Sequence, residues 1–309
     1  SAPKDESEIR QLRAQYFGMI SAVDEQMGRL WQTLRDLNQW DNTIIIVTAD
    51  NGMAFPYAKA NLQDYGTHIP LAICGPSIKG SSRKVTDLVG MIDLAPTIMD
   101  LAGVKPFDGI TGKSLLSIFQ SKASGLVDPS RSYVLTGRER HTHARPDNLG
   151  YPARAIRTQQ YLYIKNYTPD RWPAGNPPPN KQIGAEGNAD EKLIQGYEDI
   201  DASPTKTHMI KERQTFPGLF ALGFEKRNAE QLYDIIKDPY CLNDLAKDKK
   251  MLKIKSNLKT LLETKLKEQH DPRAEGKGDV FESYPRFGAM KSFDGFKERG
   301  KYNPAFINQ

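Results

Sequence analysis

The chain has 309 residues, with 43 lysines and arginines against 38 aspartates and glutamates and a formal charge of +5. That length exceeds the usual single domain and predicts one large α/β domain with a smaller one beside it. The basic residues are scattered rather than gathered in one block, so no polyanion-binding tail is indicated and nucleic acid is not an expected partner.

In chain order, Ile9, Leu12, Tyr16, Met19, Val23, Met27, Leu30, Leu34 and Leu37 recur every three or four positions and predict one amphipathic helix, capped by Ser7. After the polar break "NQWDN", the unbroken β-branched run "TIIIVTA" predicts a strand covered on both faces, as in a parallel sheet. "IPLAICGP" reads as a second strand stopped by Gly75 and Pro76. A helix is expected from about Ile92 to Gly103, with Pro96 in its first turn, and a short one near Ser114 to Ser121. "SYVLTGRE", "ARAIRT" and "YLYIKNY" are short hairpin strands, with "TQQ" as the tight link between the last two. Residues 168–190 are rich in Pro, Gly and Asn and predict a long surface loop. Helical patterning returns at Ser203 to Phe220 and Asp248 to Gln269, flanking the strand "EQLYDII".

The expected division is therefore an α/β module over residues 1–125, an antiparallel-sheet subdomain over 126–270, and an irregular tail over 271–309 that either wraps the first module or is loosely held. No apolar run approaches the length that spans a bilayer. The two cysteines, Cys74 and Cys241, are too few for a disulfide framework and have no metal-ligand spacing, so they read as ordinary thiols.

The chemistry concentrates where the first strand ends. In open α/β sheets, ligands gather at the carboxyl ends of strands, which is where Asp50, Asn51 and Gly52 fall. A carboxylate and an amide carbonyl are hard oxygen donors suited to Ca²⁺ or Mg²⁺, although two donors fall short of the six or more such an ion takes. A plain turn is the other reading of "DNG". Lys59 follows in a loop, and a cation beside a metal ion requires an anion between them.

The stretch "YFGMISAVDEQMGRLWQTLRDLNQWDNTIIIVTADNG" resembles the helix and strand that lead into the second metal-binding pair of the formylglycine-dependent sulfatases, within the alkaline-phosphatase-like superfamily. "AKANLQDYGTHIPLAI", "MIDLAPTIMDLAGV" and "EQLYDIIKDPYCLNDLA" resemble three further landmarks of that family, in the right order and at sensible spacing. The resemblance implies a mixed, largely parallel sheet flanked by helices, partial in this chain, followed by a smaller α+β subdomain with an antiparallel sheet. It also implies that Asp50 and Asn51 ligate Ca²⁺ and that Lys59 contacts the sulfate. Phe55, Pro56 and "RERHTH" bring the chain closer to heparan N-sulfatase-like glycan sulfatases, which makes His141 and His143 candidates for contacting an anionic sugar. His68 stands where the family usually has arginine, and Cys241 where an acid is common.

The departures carry information too. The nucleophile motif, Cys or Ser, any residue, Pro, any residue, Arg, has no match: Ser1, Cys74 and Ser283 have Pro two residues on, but Asp5, Ile78 and Phe287 at the fifth position. The formylglycine and the other metal ligands are expected in an N-terminal part of the sulfatase, and the chain alone is expected to be inactive. The resemblance further implies a sulfated carbohydrate substrate such as a glycosaminoglycan, and a periplasmic, secreted or lysosomal location. Two alternatives stay open: a non-catalytic remnant that binds sulfated glycan, and a related phosphodiesterase, whose paired transition metals would call for an Asp-His pair in place of "DNG".

Overall fold

A computed structural model describes residues 6–177 and 195–284, and the contacts divide the chain into two units. The first comprises Ser1–Ala49, Pro70–Asp87 and Ile92–Pro129; the second comprises Asp50–Ile69, Leu88–Met91 and Ser130–Gln309.

In the first unit, helix α1 (Glu6–Asp36) carries Glu6 and Glu8 in its first turn and Arg35 in its last, the polarity that a helix dipole favours. Ser7 lies inside this helix rather than capping it. None of its residues is buried, and Leu12, Tyr16, Met19, Val23 and Leu30 on its apolar stripe are all exposed. Strand β1 (Ile45–Thr48) is followed by the single turn α2 (Asp64–Thr67), which belongs to the second unit, and then by β2 (Leu71–Cys74).

The pairing of β1 corrects an expectation. Its unbroken apolar run predicts a parallel neighbour, yet β1 pairs β2 antiparallel, with Ile45 opposite Cys74 and Thr48 opposite Leu71. A parallel return needs a crossover, usually a helix of several turns. Here the described helix between the two strands is the four-residue α2, too short for such a crossover. Nor is β1 covered on both faces: Ile45, Ile46 and Val47 are half-buried and Thr48 is exposed.

Further on, α3 (Leu94–Leu101) takes Pro96 in its first turn, where a missing N–H costs little, and ends before Gly103 at φ 69°. It is tied to α4 (Leu116–Gln120) through Thr97, whose hydroxyl accepts from the Leu115 amide at 2.8 Å.

The second unit is built on a four-stranded antiparallel sheet in the order β3 (Tyr133–Arg138), β4 (Ala153–Thr158), β5 (Tyr161–Asn166) and β6 (Glu230–Asp234). The side-chain period of two sorts its residues onto two faces. Ala153, Ala155, Leu162, Ile164 and Tyr233 face one way and pack with Tyr57, Leu62 and Cys241. Ile156, Tyr163 and Leu232 face the other way and meet Leu258, Leu262 and Leu266. The loop over residues 50–69 thus covers one face of this sheet. Each fully buried large apolar side chain there contributes about 1.5–3 kcal/mol to holding it.

The helical patterning at Ser203 to Phe220 resolves into two helices, α5 (Pro204–Lys211) and α6 (Pro217–Phe224), because Pro217 cannot continue the first and instead opens the second. Beyond β6, α7 (Leu252–Glu268) supplies the leucines under the sheet, and α8 (Val280–Ser283) lies in the expected tail. Residues 271–284 are held within the second unit. Asp271 pairs with Arg154 at 2.6 Å, and the 1% exposed Glu282 accepts from the Gly150 amide at 2.8 Å. Residues 178–190 of the expected long loop and 285–309 of the tail lie outside the described residues.

Candidate functional site

The residues singled out in the sequence, Asp50, Asn51, Lys59, His68, His141 and His143, all belong to the second unit. The loop that carries the first four is shaped by glycine at two close approaches. A Cβ on Gly52 would stand 1.9 Å from the Tyr65 carbonyl oxygen, and one on Gly66 would stand 2.3 Å from that of Asn61. Tyr57, buried at φ 65°, anchors the loop by donating its hydroxyl hydrogen bond to the Cys241 carbonyl. Burial pushes the Cys241 thiol up to about 12, so at neutral pH it is an inert core group, and it forms no disulfide.

Asp50 is exposed and Asn51 half-buried, side by side at the start of the loop. Among the described residues, no group of three or more His, Cys, Asp or Glu side chains is arranged to hold a metal ion. The pair fits a hard cation by donor type and falls short of one by number.

Lys59 is half-buried, and its ammonium donates to Asp201 Oδ2 at 2.9 Å. Its backbone amide is fixed to the Met53 carbonyl at 2.9 Å. Two residues before Asp201, the carboxylate of Asp199 is 1% exposed and accepts from three side chains. Oδ2 takes Arg138 Nη2 at 2.6 Å and Arg145 Nη2 at 2.5 Å, while Oδ1 meets His141 Nδ1 at 2.8 Å. Burial alone would raise the Asp199 pKa, but the Arg138 charge, the His141 hydrogen bond and Arg145 together hold it well below the usual carboxylate range. It is therefore a fixed negative charge that orients the His141 ring. The turn bearing both acids is itself clamped by the buried Lys206, whose ammonium donates to the carbonyls of Gly196 at 2.9 Å and Tyr197 at 3.0 Å.

Lys59 and His141 are thus brought to alternate acids of one short segment. His143 is not at the surface: it is fully buried, with Nδ1 against Asn148 Oδ1. His68 stands outward, with a 76% exposed side chain 3.9 Å from Asp64. Asp64 itself is held by Arg157 at 3.0 Å.

Sequence reasoning missed Asp199, Asp201, Arg138, Arg145 and Lys206. The only local signals were the cation density of "RERHTHAR" and the acids of "YEDID". Neither says which cation meets which acid.

Two family models match the chain: the one described as sulfatase over residues 1–104, and the one described as N-sulphoglucosamine sulphohydrolase, C-terminal, over residues 56–173. Arylsulfatase K of Danio rerio is 31% identical over 135 residues, covering 42% of this chain and 26% of that protein. The ulvan-active sulfatase of Formosa agariphila is 25% identical over 239 residues, covering 74% of this chain and 34% of that protein. The chain therefore spans 26% and 34% of the length of these two curated relatives. Among solved structures, a protein in complex with its substrate D-glucosamine-2-N,6-O-disulfate aligns with a TM-score of 0.60 at 20% identity, over 89% of this chain and 45% of that one. At that identity the likeness shows the fold, an α/β fold holding part of a sulfatase domain. Over residues 1–104 the chain is thus similar to sulfatases, and over residues 56–173 it is similar to the C-terminal part of an N-sulphoglucosamine sulphohydrolase.

Proposed function

We propose that this chain is part of a sulfatase that hydrolyses sulfate groups on sulfated carbohydrate, such as a glycosaminoglycan, and that Lys59 and His141 face the anionic substrate. The observation that carries this reading is the shared segment. Lys59 is held by Asp201 and His141 by Asp199, so two donors are oriented toward one region by acids two residues apart.

Asp50 and Asn51 would hold a Ca²⁺ ion through two oxygen ligands, and the ion would need further ligands beside them. When bound, such an ion would polarise the sulfuryl oxygens, and a formylglycine in an N-terminal part of the enzyme would supply the nucleophile. The work of this chain's own residues is electrostatic. Lys59 uses the N–H bonds not spent on Asp201 to stabilise charge on the sulfate oxygens and to donate toward the leaving atom. His141, its ring oriented through Nδ1 by Asp199, contacts a sugar substituent. His68, exposed on the loop, adds a second contact. Buried His143 supports the turn that carries His141.

The test is sulfate release from a panel of sulfated glucosamine and uronate saccharides, by this chain alone and by the chain with a sulfatase N-terminal portion joined to it. The joined form should turn over and the chain alone should not. Lys59→Ala in the joined form should lower kcat about 100-fold, the scale of losing one charged donor at the developing anion. Release by the chain alone would overturn the assignment of the nucleophile to another segment. Tight glycan binding by the joined form without turnover would favour the non-catalytic alternative.

A further inference from the structure

In the second unit, a cavity of about 20 Å³ is lined by Arg138, Tyr151, Asn166, Arg227 and Gln231, among other residues. A volume of that size holds one particle as large as a water molecule. The charges around it do not balance. Arg138 and Arg145 lie over the Tyr151 ring, at 5.2 and 5.6 Å from its centroid, and share the single carboxylate of Asp199. Arg227 lies over the Tyr57 ring at 5.0 Å, donates to the Ala221 and Leu222 carbonyls, and has no carboxylate partner among the described residues. Three guanidinium groups, two of them buried and that of Arg227 half-buried, thus meet one acid, and a cation drawn out of water without a counter-ion is costly.

The hydrogen bonding is unbalanced in the same sense. The amides are already engaged: Asn166 Nδ2 donates to Asn228 O at 2.7 Å, and Gln231 Nε2 to the Tyr233 hydroxyl at 2.6 Å. The Tyr151 hydroxyl and Arg138 Nε are buried with no hydrogen-bond partner among the described residues, in side chains whose residues are 2% and 9% exposed. Burial pushes the Tyr151 phenol up to about 12, against the opposing pull of Arg227, Arg138 and Arg145, so at neutral pH it keeps its proton and can donate. The open groups are donors and the surplus charge is positive.

We propose that this cavity is a binding site for a monoatomic anion of chloride size, held by the Tyr151 hydroxyl, Arg138 Nε and the Arg227 guanidinium. Water would fill the volume but would leave the surplus charge in place. The anion balances Arg227 and fixes the Arg138 plane, so that Nη2 reaches Asp199 and, through it, His141. The site is independent of the hydrolytic reading above, since it requires neither a metal nor a substrate.

The experiment is thermal unfolding of the full chain in sodium chloride and sodium bromide against sodium gluconate at constant ionic strength, with crystals grown in bromide for anomalous scattering. Tm should rise saturably with chloride and bromide but not with gluconate. Tyr151→Phe should raise the half-saturating chloride concentration about tenfold, the effect of one hydrogen bond to a charged group. A bromide peak should stand between Tyr151 and Arg227. Equal melting in all three salts, or an ordered water without a bromide peak, would overturn the proposal. The anomalous map needs no variant and decides the matter even if Tyr151→Phe does not fold.

Discussion

Asp199 sits between two guanidinium groups that have no other carboxylate among the described residues. Asp199→Asn keeps the shape and removes the charge, and should cost about 3–5 kcal/mol in urea unfolding, because Arg138 and Arg145 stay buried without their counter-ion. The pH dependence has a definite sign. With its folded pKa held below the unfolded value, Asp199 contributes stability that is present above about pH 4 and is lost as pH falls from there toward the folded pKa. Acid unfolding of the variant should be correspondingly shallower below pH 4, which pH-dependent melts will show. None of this was readable beforehand. "RERHTHAR" announced a cationic segment and made His141 visible, but its partner acid lies 58 residues away, and Asp201 lies 142 residues from Lys59. Side chains that far apart meet only through the fold.

Among the elements, the loop over residues 50–69 depends on Gly52 as a point of close backbone approach. Gly52→Ala drives a Cβ into the Tyr65 carbonyl and should destabilise the second unit by about 1–3 kcal/mol, measured as a fall in Tm. The four strands of the antiparallel sheet were legible because period-two alternation and the short "TQQ" link are local signals. The division of the helical stretch at Pro217 was legible in principle, since proline cannot sit in a helix interior. The partner of β1 was not legible. An apolar run reports that a strand wants cover and does not say which strand will pair with it or in which direction.

On the scale of the molecule, the two units differ in how well their elements are covered. Helix α1 buries none of its residues, while Ala155, Ile156 and Tyr163 at the centre of the four-stranded sheet are 0% exposed. Local opening follows buried apolar contact, so amides over residues 6–36 should exchange with solvent faster than those of β4 and β5. Peptide-resolved hydrogen exchange on the 309-residue chain measures this directly, and equal protection in both would contradict it. No described helix is long and apolar enough to cross a membrane.

What the sequence determined by itself was the set of pieces: periodic helices and strands, a chain of family landmarks, and an Asp-Asn pair with a following lysine. These rest on neighbours a few positions apart, where spacing alone states the physics. The tertiary structure decided which pieces meet. It turned β2 antiparallel to β1, buried His143 while leaving His141 at the edge, and gave Lys59 and His141 their acids on one clamped turn. A buried charge takes whichever partner the packed chain brings within about 3 Å, and no local pattern encodes that distance.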